Sequence, residues 1–270
     1  MLKTQSLLKD LEVFSFINPK NKYNIIFLHG FTGSYYDNLI IKDKITNCNF
    51  FALHLPCHGK SVCLSDEDLS TLNFAQIWIE YIKEQNLDNL ILIGHSMGGG
   101  IAAYLNTFFS DKILANILIS PANPSIISNM KNINYLLPKT HQEATNLLKG
   151  LVYQYQINEH YIQNNLIVET IENAQEKFNG LKEMLSPEQM KNSMKLFDLG
   201  FKSIKKPTLV IMGKNDLIVP TKELSEYIDN LNNKNIKYII FDNAAHNPHK
   251  ENSVLFFAEV NNFLRLNIVK

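Results

Sequence analysis

Six short apolar runs, each bounded by turn residues, are spaced so that most neighbours leave room for a helix between them. They are Asn24–Leu28, Phe50–Leu55, Asn89–Ile93, Ala115–Ile119, Thr208–Met212 and Lys237–Phe241. Most are continuous rather than alternating. A strand needs consecutive apolar residues only when both its faces are covered, which is the condition of a parallel sheet sandwiched between helices. A further strand or hairpin is expected within Leu11–Ile17. Between the runs the period changes from strand-like to helical. Phe74–Gln85 places Phe74, Ile77, Trp78, Tyr81 and Ile82 on one face. Met97–Phe109, Thr221–Leu231 and Asn252–Leu266 read as further helices, with Thr221 a candidate N-cap after Pro220. The alternation predicts an α/β class with a mostly parallel central sheet and helices on both faces.

The alternation stops between Ser125 and Lys206. This segment reads mostly as helices, interrupted at Pro138, Gly150, Gly180 and Pro187, and it is far longer than one crossover requires. The organisation expected is a core formed by residues 1–124 and 207–270, with 125–206 inserted as a helical cap over the end of the sheet. The stretch Asn89–Ser110 has no Asp, Glu, Lys or Arg, which raises a membrane-spanning reading. Gly94-His95-Ser96 and three further glycines inside it favour a buried strand, a turn and a buried helix. No stable membrane insertion is expected.

Charge excludes some partners. Lys plus Arg and Asp plus Glu both total 26, a formal net charge of zero, where a nucleic-acid binder or a polybasic membrane-surface protein would carry a basic excess. Arg265 is the sole arginine, so there is little capacity to grip phosphate or carboxylate with a guanidinium fork. Cys48, Cys57 and Cys63 are an odd, small set that does not suggest a disulfide framework. Lys9, Asp10 and Glu12 interrupt the apolar start, so no signal-peptide core is read and a cytoplasmic location is expected.

The chemistry starts at Gly94-His95-Ser96-Met97-Gly98. It matches G-x-S-x-G, with an apolar strand entering and a helix leaving. Such a turn must be tight enough to project a serine above the sheet, and Gly94 and Gly98 leave room for it. Ser96 then sits at a helix N-terminus, where backbone N–H groups favour developing negative charge.

Here the sequence resembles the serine hydrolases of the α/β-hydrolase superfamily, in particular esterases and monoacylglycerol lipases, whose nucleophile elbow is similar to Gly94–Gly99. The resemblance extends over nearly the whole chain and implies a Ser–acid–His order. The acid is expected at Asp216, in the G-x-x-D-x-x-V-P turn Gly213–Pro220. The base is expected at His246, in Ala245-His246-Asn247-Pro248-His249-Lys250-Glu251, where Ala245 replaces the usual glycine. His249 and Asp242 are the competitors for those roles. The loop His29-Gly30-Phe31 resembles the family's oxyanion loop, so the backbone N–H groups of Phe31 and Met97 are expected to bind the oxyanion, with His29 stabilising the loop. Leu55–Ser61 is similar to the P-G-H-G-x-S loop, with Cys57 in place of a glycine.

His54, Cys57, His58 and Cys63 could form a metal cluster, but their spacing matches no standard zinc pattern. His95 is expected to be structural. Leu147, Leu148, Leu151, Tyr153, Tyr155, Met184, Leu185 and Met190 are candidates for an acyl pocket or for ordinary packing. The function implied is a serine hydrolase that cleaves small-molecule carboxylic esters with an apolar acyl part through an acyl-enzyme on Ser96, without metal or organic cofactor. Thioesterase, C–C bond hydrolase, aminopeptidase and perhydrolase are alternatives on the same residues, and a non-catalytic binding protein is the rival from another class.

Overall fold

The computed structural model describes residues 8–65, 68–129, 133–153 and 160–268. Seven strands form one sheet in the order β1-β3-β2-β4-β5-β6-β7: β1 Val13–Phe16, β2 Tyr23–Leu28, β3 Cys48–Leu53, β4 Leu90–His95, β5 Ile113–Ile119, β6 Thr208–Gly213 and β7 Ile236–Phe241. β1 is antiparallel to β3 and every other pairing is parallel. The six apolar runs thus become the six parallel strands. The strand expected in Leu11–Ile17 is the antiparallel edge.

Consecutive residues of the central strands face opposite layers. Ile26, Leu28, Leu90, Leu92, Leu118, Val210 and Met212 point into the layer of helices α2 (Thr71–Glu84) and α3 (Met97–Phe109). Ile25, Phe27, Ile91, Ile93, Ile117, Ile119 and Ile211 point towards helices α1 (Ile40–Lys44) and α9 (Ser253–Asn267). Both faces are dry, which is why these runs lack alternation. Edge strand β7 exposes Lys237 and Ile240.

Helix α2 starts at Ser70, whose Oγ accepts the Asn73 N–H at 3.1 Å, and buries Phe74, Ile77, Trp78 and Ile82 as its periodicity predicts. α7 (Thr221–Leu231) corrects one detail. Pro220 occupies the N-cap position, while the Thr221 hydroxyl donates to the Gly213 carbonyl at 2.5 Å. Asn252 caps α9 by accepting the Leu255 N–H.

Between β5 and β6 lie α4 (His141–Leu151), α5 (His160–Glu172), the 3₁₀ helix Asn179–Leu185 and α6 (Pro187–Ser203). α4 and α5 share a small cluster of their own around Ala144, Leu148 and Ile167. α6 instead joins the main core through Phe197 and Phe201, with Ile204 just beyond its end. Its approach to α3 is close. A Cβ on Gly200 would lie 2.4 Å from the Tyr104 backbone nitrogen, and one on Gly100 would meet the Phe197 ring at 2.5 Å.

The cysteines correct another expectation. Cys57 and Cys63 form a disulfide, leaving Cys48 as the free thiol. Local geometry brings them together. Cys57 adopts a positive φ of 64°, and its N–H bonds the Val62 carbonyl at 3.1 Å, folding the six-residue separation into a tight loop. Among the described residues, no helix is long and apolar enough to cross a membrane.

Candidate active site

Ser96 sits between β4 and α3 with φ 53° and ψ −119°, a conformation held by the surrounding chain. Its N–H bonds the Ile119 carbonyl at 2.9 Å, and its carbonyl accepts from Gly99, Gly100 and Ala122. The turn tolerates no side chain at its glycines. A Cβ on Gly94 would lie 2.4 Å from the Gly98 carbonyl oxygen, and one on Gly98 would lie 2.2 Å from that of Leu28. Positive φ at a non-glycine residue in a functional turn stores strain of about 1–3 kcal/mol.

The loops after β6 and β7 bring Asp216 and His246 together. His246 Nδ1–H donates to Asp216 Oδ2 at 2.8 Å, with both residues almost fully buried. A carboxylate oxygen accepts, so Nδ1–H is the donor in this bond and Nε2 is the ring nitrogen left for another partner. Asp216 Oδ1 accepts the N–H groups of Ile218 and Val219, both at 2.9 Å. Both carboxylate oxygens are therefore satisfied in a dry setting, as a buried charge requires.

Phe31 lies in the loop after β2, and Met97 is the first residue of α3. No described backbone carbonyl takes the N–H of either. The loop bearing Phe31 is pinned by two histidines. His29 donates from Nδ1 to the Gly30 carbonyl at 2.8 Å, and its Nε2 accepts the Leu55 N–H at 3.0 Å. His58 donates from Nδ1 to the Pro56 carbonyl and accepts the Thr32 N–H at Nε2, 3.0 Å away. Each uses one nitrogen as acceptor, so each must be neutral. Burial accordingly holds His29 well below the ordinary histidine range and pushes His58 down to about 4. His95 is neutral through burial too, and donates from Nε2 to the His246 carbonyl at 2.9 Å.

The competing residues are engaged elsewhere. His249 is buried, donates from Nε2 to Asn38 Oδ1 at 2.9 Å, and is pushed down to about 3 by burial and then by Lys250 and His246. Asp242 is exposed and paired with Lys214 at 2.7 Å. Of the metal candidates, Cys57 and Cys63 bond each other, His54 pairs with Glu12 at 2.7 Å, and His58 accepts the Thr32 N–H.

Two compartments meet at Ser96. One, of about 500 Å³ with its mouth included, is lined by apolar groups such as Met97, Ile126, Met184, Met194 and Phe197. The other, of about 750 Å³ with its mouth included, is more polar, with Thr32, Asn247, Lys250 and His246 among its walls and Leu147 and Leu151 of α4 lining it as well. Met184, Leu185 and Met190 therefore line the apolar compartment, whereas Leu147 and Leu151 line the polar one. Leu148 packs between α4 and α5, and Tyr155 lies outside the described residues.

A mostly parallel seven-stranded sheet with a serine elbow between strand and helix defines an α/β hydrolase. The family model described as "Serine aminopeptidase, S33" matches residues 19–253, and the chain belongs to that family. It is 32% identical over 251 residues to "Putative esterase/lipase 1" of Mycoplasma genitalium, covering 90% of this chain and 91% of that protein. Among solved structures, a meta-cleavage product hydrolase from Pseudomonas fluorescens IP01 superposes with a TM-score of 0.77 at 15% identity, over 94% of this chain and 93% of that one. A "putative lipase" from Acinetobacter baumannii AYE gives 0.74 at 21% identity, over 98% and 96%. At these identities the two structures speak for the fold alone.

Proposed function

We propose that this hydrolase is a serine esterase that cleaves carboxylic esters with an apolar acyl group through an acyl-enzyme on Ser96. The observation that carries the reading is the apolar compartment opening directly on Ser96, beside a buried His246–Asp216 pair. Ser96 Oγ attacks the ester carbonyl while His246 Nε2 takes its proton. Asp216 holds the ring and stabilises the imidazolium. The Phe31 and Met97 N–H groups take the oxyanion, each contributing two to three powers of ten in rate. His246 returns its proton to the leaving alcohol, then deprotonates the water that frees the acid.

Peptide cleavage fits less well. An aminopeptidase must anchor an ammonium group next to the scissile carbonyl, on the acyl side. Among the described residues, no carboxylate lines the apolar compartment, and Asp37 in the other compartment lies 3.5 Å from Lys250. The ester reading also agrees with the names of the Mycoplasma relatives. Residues 125–206 form the cap that roofs both compartments in this reading, and the enzyme acts on small uncharged esters rather than on nucleic acid.

A p-nitrophenyl ester series from acetate to palmitate, with Ser96→Ala as blank, tests this. Esters with an apolar acyl chain should be turned over better than acetate, because apolar side chains line the compartment beside Ser96. Turnover should be unchanged by EDTA, since no step uses a metal. Cleavage of amino-acid p-nitroanilides without ester turnover would contradict the reading.

A further inference from the structure

Glu251 satisfies three backbone N–H groups with one carboxylate. Oε1 accepts from Ala245 at 2.9 Å and from Asn247 at 3.2 Å, the residues on either side of His246. Oε2 accepts from Tyr153, 98 residues away in sequence at the end of α4. Next to it, the Asn247 side-chain amide donates to the Leu151 carbonyl at 3.0 Å. The loop carrying His246 is therefore tied to the cap segment 151–153 from both sides. Leu151 and Asn247 are walls of the polar compartment that opens on Ser96.

From this we infer that Glu251 is a positioning residue: it sets the His246 loop in register with the cap, so that the base is aligned when segment 151–153 is docked. The inference rests on the reading of His246 as the base. A local role alone would be capping. Glu251 ends the short helix α8 (Pro248–Glu251), whose N-cap is Asn247, and a carboxylate commonly reaches back to an N-cap N–H. Capping accounts for the Asn247 bond only. It does not account for the Ala245 bond, which lies before the helix, or for the Tyr153 bond from the cap. Bonds from N–H groups to a carboxylate are among the stronger protein hydrogen bonds. The His246 ring is oriented by its own bond to Asp216, while its backbone is held by the His95 bond to its carbonyl and by the N–H groups on either side of it, which Glu251 accepts. A base displaced by about 1 Å costs roughly 10²-fold in rate.

Three variants of the full chain test this: Glu251→Ala, Glu251→Gln and Asn247→Ala. The readouts are kcat and KM for p-nitrophenyl butyrate, the rate of Ser96 labelling by a fluorophosphonate, and Tm. Glu251→Ala should lower kcat by about 10- to 100-fold with KM nearly unchanged. Labelling should slow by the same factor, at a temperature where the variant is fully folded. Glu251→Gln keeps one acceptor oxygen and should recover part of the loss. Asn247→Ala leaves every Glu251 bond in place, removes only the side-chain tie to Leu151, and should lower kcat severalfold. A folded Glu251→Ala with wild-type kcat overturns the inference, as does a loss that only follows the unfolded fraction. If Glu251→Ala does not fold, wild-type kcat in both other variants overturns it. A wild-type protein whose Ser96 does not label refutes the base and nucleophile assignment itself, and is thereby told apart from a failure confined to Glu251.

Discussion

Asp216 and His246 form a pair in which geometry fixes the proton. The carboxylate receives two backbone N–H groups on one oxygen and the imidazole on the other. In our account the histidine offers an acceptor nitrogen to Ser96 and cannot turn away. His246→Ala should therefore lower p-nitrophenyl butyrate kcat by roughly 10⁴-fold or more. His249→Ala should keep activity within about tenfold and instead lose about 1–3 kcal/mol of stability, because Asn38 Oδ1 is left without its partner. Steady-state kinetics and thermal melts of the two variants check this, and the opposite pattern would reverse the assignment.

At the scale of elements, the elbow and the α3–α6 contact depend on missing side chains. Gly200→Ala places a Cβ 2.4 Å from the Tyr104 backbone nitrogen. Backbone cannot rotate away, so the helices must separate, and a loss of about 1–3 kcal/mol is expected in denaturant unfolding. Unchanged stability would show that α6 does not seat as described. The disulfide closes a short loop, which corresponds to about 2 kcal/mol against the unfolded chain. A reductant should lower the wild-type Tm and leave Cys63→Ser unaffected, as paired melts would show.

The elements also show what the sequence makes legible. The parallel strands are readable because both faces of the sheet are dry, so each run is continuous. The elbow is readable because its chemistry is local: strand, Gly94, Ser96, Gly98 and helix adjoin in sequence. Thr221 does not cap α7 as its sequence position suggests, because its hydroxyl finds the Gly213 carbonyl across a turn. The Cys57–Cys63 bond is not legible in the sequence, because a count of three says nothing about a loop that folds on itself. Glu251 lay within a recognised motif, yet its bond to Tyr153 joins segments far apart in the chain, and no spacing rule reports that.

For the whole molecule, buried neutral histidines set an acid limit. His58 is depressed to about 4 and His249 to about 3, in each case chiefly by burial. The unfolded chain takes up these protons near pH 6.5, while the folded chain resists until the lower values. The unfolded state thus binds more protons between those limits, and stability is complete above about pH 6.5 and lost as pH falls. Tm should decline between pH 7 and pH 4, with the slope reduced in a folded His58→Gln variant. A Tm independent of pH over that range would contradict the burial described.

The central claim is that Ser96 is the nucleophile, activated by His246. Intact-mass spectrometry after fluorophosphonate treatment, followed by peptide mapping, tests it most directly. The account predicts a single adduct, located on Ser96, absent in Ser96→Ala and strongly slowed in His246→Ala. A folded wild-type protein that takes up no label, or one labelled equally well without Ser96, would contradict it.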